Sequence, residues 1–562
     1  MCRKVILTWL VLMIFCCERS VAQQFAYVVS FTDKNNTPYS LSSPLSYLSA
    51  RAVARRTRQG IPIDSTDLPV INKYIDSTLA LTSGIFHGSS RWFNHCIILV
   101  SDSTFIHALS GKSFISSTKL VGVYSTFLHH KPSNTTVSAV STNSPAHKTT
   151  TDATYYGWTW EQTQIVNGNY LHNSGFKGTG QLIAVLDAGF TGSDLHIGFD
   201  SLRNSGRILD GRDFVYNDNT VFNFSSHGTT VLSTMAGYIP NNPPNNYIGS
   251  APLASYALYV TEDEGSEQPI ELYNLELASE RADSIGADII TSSLGYNTFT
   301  DPSLNLNFAV DLDGKTTICA RGANAATKKG ILFVASAGNE GGNPWNMILT
   351  PGDADSALTI GSVDAIGAVW GTSGYGPNAA GQIKPDVCGQ GHFASIFTTG
   401  GGLGQQDGTS LSTPQIAGWA ACLWQANPNA TPYQIRQAII RCANHYSTPN
   451  SHIGYGVPNF NCTEQLLNVA NTPPPFIPGN WIAVVPNPFH SEIRISAYPD
   501  TNNDVEFRIL DVTGKTVASM TNYLFKGYNP AFTFPVVNLP NGVYILKVAS
   551  PTQQQVIRIV KQ

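Results

Sequence analysis

The stretch LIAVLDAG, residues 182–189, joins five apolar residues to an aspartate. A continuous apolar run of this length is typical of a strand that is buried on both faces, as in a parallel sheet covered by helices. Asp187 then stands at the carboxyl end of the strand, the edge where open α/β sheets bind ligands. Taken alone, however, Asp187 is better explained as a capping residue before a turn.

Further apolar runs alternate with helical patterns on either side of this strand. The other strand-like runs are residues 256–260, 288–291 and 331–335, and the helical patterns are residues 270–285 and 318–329. Alternation of this kind favours a parallel sheet with helices on both faces. We therefore predict an α/β domain over residues 155–470, with a three-layer core.

Two polar residues of this domain lie at predicted helix starts. His227 lies in SHGTT, residues 226–230, just before an apolar run, and Ser410 lies in GTSLSTP, residues 408–414, before another. Each has an ordinary structural explanation, since a lone histidine is more often structural and Ser or Thr commonly caps a helix. Together with Asp187, however, they are the three residue types that nucleophilic catalysis by a serine requires. A nucleophilic serine needs a histidine to take its proton, and the histidine needs a carboxylate to orient it.

Asn339 follows the strand-like run 331–335, in the sequence SAGN. An asparagine amide beside the backbone N–H of Ser410 would form an oxyanion hole. The chain order is Asp, His, Ser, whereas an α/β-hydrolase would run Ser, Asp, His and carry the motif G-x-S-x-G. Residue 412 is Ser rather than Gly, so that alternative fails.

These four ordered motifs resemble those of the subtilisin-like serine proteases, the subtilase family. The resemblance implies a three-layer subtilisin-like α/β core in which Asp187 is the orienting acid, His227 the general base, Ser410 the nucleophile and Asn339 the oxyanion donor. It also implies that Ser293, Leu294 and Gly295 form the strand that pairs with the substrate backbone beside the first specificity pocket. One departure is Ala188, where the family usually has Ser or Thr after the acid.

The N-terminal part of the chain predicts export and a separate domain. Residues 1–22 combine two basic residues, an apolar run and small residues at positions 20 and 22, the pattern of a cleaved signal peptide. Residues 23–130 alternate strand-like and helical sequence patterns. They lie where the family carries an α+β inhibitory propeptide. The helix predicted over residues 44–58 has a basic face, which we interpret as solvated; its members are Arg51, Arg55, Arg56 and Arg58. Residues 131–154 are rich in Ser, Thr and Asn and read as a linker.

The C-terminal part predicts a second, smaller domain. Residues 471–480 hold four prolines and form a stiff spacer, and residues 481–562 read as a small all-β sandwich with turns between short strands. This last segment resembles the C-terminal sorting domain of proteins that leave the cell by the type IX secretion system. The alternative is a sandwich that binds carbohydrate or protein.

Composition limits the remaining possibilities. The net charge of −5 gives no basic surface for nucleic acid, and no run reaches the roughly 20 apolar residues of a membrane span. The nine cysteines leave disulfide pairing open, and neither C-x-x-C nor H-E-x-x-H is present to suggest zinc. We predict no cofactor for catalysis and no catalytic metal. Asp311 and Asp313 begin a weak calcium-loop pattern, so structural calcium is left open.

The sequence therefore predicts a serine endopeptidase that passes through the periplasm and is secreted or held at the cell surface. Its partners would be protein or peptide substrates and the outer-membrane secretion machinery. The alternative is an inactive adhesin or binding protein built on the same scaffold. Loops that build specificity pockets cannot be derived from the sequence, so the natural substrate stays open.

Overall fold

The structure of the protein is a computed structural model. It describes residues 23–124, 153–398, 400–470, 480–485, 487–501, 503–524, 529–536 and 539–562. The predicted signal peptide and most of both predicted linkers lie outside these residues. The α/β core, the N-terminal α+β segment and the C-terminal β-rich segment were all predicted from the sequence, and all three are confirmed.

The central sheet of the α/β domain is formed by parallel strands. In spatial order they are Val387–Gln390, Leu358–Val363, Leu332–Ser336, Ile289–Ser292, Leu182–Asp187, Ser255–Val260 and Ile208–Asp213. The strand Leu182–Asp187 is buried at every position, as its continuous run of apolar residues predicts. Since all strands run the same way, the residues that follow them meet at one edge of the sheet.

Helices cover both faces of this sheet. On one face Ile270–Ile285 packs against Ile318–Lys328; on the other Thr409–Ala426 packs against His227–Ala236 and lies across the central strands. The remaining helices of eight or more residues in the described part of the domain are Pro432–Arg441 and Phe460–Ala470. A disulfide joins Cys442 to Cys462 and so ties these two helices together. The sequence had left this pairing open.

The N-terminal segment is an antiparallel sheet backed by helices. Its strands, in spatial order, are Ile85–Ser90, His95–Val100, Gln24–Phe31 and Ile115–Tyr124, and its main helices are Ala50–Gln59 and Asn72–Thr82. The segment packs on the helix Ile270–Ile285 of the α/β domain.

The prediction that the basic face of helix Ala50–Gln59 is solvated is wrong for two of its arginines. Arg55 and Arg56 are 1% exposed, and both guanidinium groups pair with the fully buried Asp283. Arg51 and Arg58 are 39% exposed and pair with Asp288. The basic face is therefore an interface with the α/β domain.

The C-terminal segment is a two-sheet sandwich with a core of its own. One sheet orders the strands Ile482–Val485, Glu492–Ala497 and Asn529–Pro535; the other orders Thr516–Leu524, Asn503–Leu510, Gly542–Ala549 and Gln554–Lys561. The alternating burial of Asn503–Leu510 is typical of a strand with one face on the core. Phe507, Ile509, Leu546 and Val548 are among the residues that fill the space between the sheets.

Candidate active site

Asp187 and His227 are joined by a hydrogen bond at the carboxyl edge of the sheet. The Nδ1 atom of His227 lies 2.7 Å from Oδ1 of Asp187. Asp187 ends its strand and is fully buried, while His227 begins the helix His227–Ala236 and keeps about a third of its side chain exposed. A buried carboxylate in this position fixes the orientation of the imidazole ring and stabilises its cation.

The acidic surroundings of His227 raise its affinity for a proton. Burial alone lowers the pKa of the imidazole, but the carboxylate of Asp187 and, more weakly, those of Glu262 and Glu264 outweigh it and raise the pKa to about 9. Burial together with Glu267 and Asp187 raises the pKa of Glu262 to about 8. His227 is therefore a base that becomes free only in alkaline solution.

Ser410 lies against the segment that follows the neighbouring strand Ile289–Ser292. Its Oγ–H donates to the carbonyl oxygen of Ser293 at 3.1 Å, and the Oγ–H of Ser293 donates back to the carbonyl of Ser410 at 2.9 Å. Ser410 is the second residue of the helix Thr409–Ala426, where backbone N–H groups have no partner within the helix. In the described residues the hydroxyl of Ser410 bonds to Ser293 rather than to His227.

Asn339 is held beside the start of the same helix by its amide oxygen. Oδ1 accepts the backbone N–H of Thr409 at 2.9 Å and its hydroxyl at 3.0 Å, so the amide nitrogen is left for another acceptor. A Cβ atom built on Gly408 would lie 3.8 Å from Nδ2 of Asn339 and 3.6 Å from the backbone nitrogen of Ser410. Both nitrogens therefore lie around one small space next to Gly408, as an oxyanion hole requires.

Leu294 and Gly295 continue from Ser293 along this edge. The carbonyl of Leu294 accepts the hydroxyl of Ser336 at 3.2 Å, and the N–H of Tyr296 donates to the carbonyl of Thr350 at 3.0 Å. The segment is thus fixed between the helix that carries Ser410 and the loop around residue 350.

Sequence reasoning missed an acidic loop beside His227. Glu262, Asp263 and Glu264 follow the strand Ser255–Val260, and they line a cavity of about 170 Å³ together with Ser225 and Tyr216. The hydroxyl of Ser225 donates to Glu264 at 2.6 Å and accepts the backbone N–H of His227 at 3.0 Å. The signal was present in the sequence, because an acidic run directly after a buried strand falls on the same edge as Asp187.

Comparison with known proteins agrees with this geometry. Residues 178–456 match the family described as the subtilase family. A thermostable alkaline protease of Halalkalibacterium halodurans is 30% identical over 288 residues, which cover 51% of this chain and 68% of that protein. This chain belongs to the subtilase family. Subtilisin E of Bacillus subtilis is 29% identical over 303 residues, or 52% of this chain and 68% of that protein.

The two flanking segments of this subtilase match families of their own. Residues 26–137 match the peptidase S8 propeptide domain of Bacteroidota, and residues 483–562 match a secretion system C-terminal sorting domain. The protein is thus a subtilisin-like serine protease with a propeptide and a sorting domain. A sorting domain implies secretion or the cell surface. In the part of the chain that the structure describes, none of the helices combines the length and the apolar character needed to cross a membrane.

Ala188, which stands where the family usually has a hydroxyl residue, offers the neighbouring Asp187 no side-chain hydrogen-bond donor. Oδ1 of Asp187 accepts the N–H of Ala188 at 2.8 Å as well as the bond from His227. Oδ2 of Asp187 is buried and has no hydrogen-bond partner among the described residues. A buried carboxylate oxygen without a donor is costly.

The weak calcium-loop pattern forms a hydrogen-bonded turn. Oδ1 of Asp313 accepts the backbone N–H groups of Lys315 and Thr316 at 2.9 and 2.8 Å. In the described ranges, no group of three or more His, Cys, Asp or Glu side chains is arranged to hold a metal ion.

Proposed function

We propose that this subtilase is an exported serine endopeptidase that hydrolyses peptide bonds through an acyl-enzyme formed on Ser410, without a cofactor. The observation that carries the proposal is the hydrogen bond of 2.7 Å between His227 and a fully buried Asp187. It lies at the same sheet edge as Ser410 and Asn339. That arrangement supplies what acyl transfer needs: the base, its orienting acid, the nucleophile and an amide that donates a hydrogen bond to the oxyanion.

The first half of the reaction forms the acyl-enzyme. The Ser410 side chain turns from the carbonyl of Ser293 toward Nε2 of His227, which takes the hydroxyl proton as Oγ attacks the substrate carbonyl carbon. The carbonyl oxygen becomes an oxyanion, which the amide of Asn339 and the backbone N–H of Ser410 stabilise. The C–N bond then breaks, and His227 gives its proton to the leaving amine.

The second half releases the acid and restores the enzyme. Water attacks the ester carbonyl while His227 takes one of its protons, and the same two donors hold the second oxyanion. The bond to Oγ breaks, and Ser410 regains its proton from His227. Throughout, the carboxylate of Asp187 stabilises the imidazolium form of His227.

The proposal gives the propeptide an inhibitory role. Its last strand, Ile115–Tyr124, ends beside the acidic loop, where the N–H of Val123 donates to Oε1 of Gln268 at 3.3 Å and Tyr124 is buried. Burial, followed by the charges of Glu271 and Asp263, raises the pKa of Tyr124 well above its ordinary value. The chain thus enters the region next to His227 before it leaves the described residues, and we propose that self-cleavage near residues 131–154 releases it.

A serine-directed fluorophosphonate probe tests the proposed nucleophile. We expect the processed protein to react at Ser410, and the Ser410→Ala protein to lose labelling and peptidase activity while keeping its fold. Ser412→Ala is the matched control, because Ser412 lies two residues further along the same helix and its hydroxyl only caps the carbonyl of Thr409. An inactive scaffold would not react with the probe, and labelling of the Ser410→Ala protein at the normal rate would refute the assignment.

A further inference from the structure

Two glycines leave a gap between the segment 293–295 and the segment 338–339, which lie on either side of Ser410. Gly295 lies two residues after Ser293, whose carbonyl receives the Ser410 hydroxyl, and Gly338 lies directly before Asn339. In the proposed mechanism the substrate carbonyl sits between Ser410 and Asn339. The side chain of the residue that supplies this carbonyl could lie between the two segments, because neither glycine has a side chain there.

The side chain of Leu349 fills the inner part of this gap. A Cβ atom built on Gly295 would lie 2.8 Å from both Cβ and Cδ1 of Leu349, and one built on Gly338 would lie 2.7 Å from Cγ and 2.8 Å from Cδ1. Cδ1 of Leu349 thus lies next to the positions where both glycines would carry a side chain. Leu349 itself is 6% exposed, as expected of a side chain that closes the inner end of a gap.

Backbone hydrogen bonds hold Leu349 in this place. Its N–H donates to the carbonyl of Ala337 at 3.2 Å, next to Gly338. The following residue, Thr350, accepts the N–H of Tyr296 at 3.0 Å, next to Gly295. The loop that carries Leu349 is therefore attached to both walls of the gap, which fixes the position of the leucine backbone.

We infer that Leu349 is the floor of the pocket for the residue on the amino side of the scissile bond, and that it restricts this residue to a small side chain. Glycine, alanine and serine fit above the leucine, whereas phenylalanine and tyrosine would need the space that its isobutyl group occupies. This inference rests on the proposed function and adds the substrate class to it.

Peptide p-nitroanilides that differ only in their last residue, Ala or Phe, measure the effect directly. Wild-type enzyme should prefer the alanine substrate. Leu349→Ala and Leu349→Gly should raise the ratio of kcat/KM for Phe over Ala by at least roughly 10- to 200-fold, the range that a single methylene group gives in an apolar pocket. A ratio of two substrates on one sample is independent of the fraction of folded enzyme. Leu202→Ala removes the same atoms from a fully buried position elsewhere and should leave the ratio unchanged.

The outcomes separate this inference from the proposed function. Enzyme that reacts with fluorophosphonate but prefers the phenylalanine substrate, or keeps its ratio in both Leu349 variants, would overturn the pocket assignment and leave the peptidase intact. Wild-type protein that neither labels nor cleaves would overturn both. Should neither variant fold, cleavage of a peptide library by the wild type decides: small residues before the cut support the floor, and aromatic residues refute it.

Discussion

At the scale of single residues, the proton affinity of His227 determines the pH at which the site can work. In the proposed mechanism His227 must be neutral to take a proton from Ser410, and its pKa is raised to about 9. We therefore expect kcat/KM to fall as the pH drops below about 9, and to level off above it. A pH profile with a small peptide substrate measures this limb, and a profile that is flat between pH 7 and 10 would contradict the assigned environment.

Glu262 provides the matched variant for this pH limb. Its carboxylate is one of the charges that raise the pKa of His227, and with its own pKa at about 8 it is ionised where the limb lies. Glu262→Gln removes that charge, so the limb should move to lower pH with the alkaline plateau preserved. A limb that stays in place or moves upward would show that the acidic loop does not control the base.

Asn339 should act on the transition state rather than on substrate binding. Replacing it by leucine removes the amide nitrogen next to the backbone N–H of Ser410, and we expect kcat to fall by roughly 10²–10³ with little change in KM. Thr409→Val is the control, since it removes only the hydroxyl that donates to Oδ1 of Asn339 and leaves the N–H of Thr409 in place. Steady-state kinetics check both variants. A loss confined to KM would mean that Asn339 binds the substrate in its ground state.

At the scale of elements, the sequence predicted local structure well and distant pairing poorly. The strand Leu182–Asp187 and the helix Ile270–Ile285 were predicted because each element's apolar pattern is contained within itself. The burial of Arg55 was not, because its partner Asp283 lies 228 residues away along the chain. Leu349 was invisible for the same reason: a lone leucine in a loop gains meaning only when the fold brings Gly295 and Gly338 to it.

The cluster around Asp283 should control how firmly the propeptide is held. Asp283 accepts hydrogen bonds from Arg55, Arg56 and Arg91, all at least nine-tenths buried, and these cations keep its pKa well below the ordinary value. Although burial by itself raises the pKa of this carboxyl, the three arginines prevail. A carboxyl with a lowered pKa stabilises the fold above its unfolded value of roughly 3.9 and loses this effect only as the pH falls through the lowered value. The contribution of Asp283 should therefore be constant between pH 5 and 8.

Asp283→Asn should loosen this interface. Breaking a buried ion cluster by removing one charge costs about 3–5 kcal/mol, so hydrogen-exchange protection of helix Ala50–Gln59 should fall by roughly two to four orders of magnitude in the Ser410→Ala precursor. Arg58→Gln is the control: Arg58 is 39% exposed and lies 3.5 Å from its partner, and such a pair contributes about 1 kcal/mol or less. Equal loss of protection in the two variants would show that Asp283 does not control how firmly the propeptide is held.

At the scale of the whole molecule, the propeptide shares a hydrophobic core with the catalytic domain, whereas the C-terminal sandwich does not. Ala26, Ile97 and Val121 of the propeptide belong to the same buried cluster as the central sheet, whereas the C-terminal sandwich fills a cluster of its own. Tyr433 nevertheless makes a hydrogen bond to Asn522, so the sandwich touches the catalytic domain at the helix Pro432–Arg441. A separate core is the property that lets a domain fold independently.

This difference predicts separate consequences for export and catalysis. Removing residues 481–562 leaves every residue of the proposed site and the whole cluster around the central sheet in place, so the purified peptidase should retain nearly full kcat/KM. In its host the truncated protein should instead accumulate in the periplasm, because the lost segment matches a secretion sorting domain. Fractionation of host cells measures the second effect, and an inert reporter placed between residues 1–22 and residues 481–562 is the converse control, since it should be carried out of the cell. Truncated enzyme at the surface or in the medium at the normal level would refute the sorting role, whereas loss of kcat/KM in the purified protein would show that the contact at Tyr433 supports the catalytic fold.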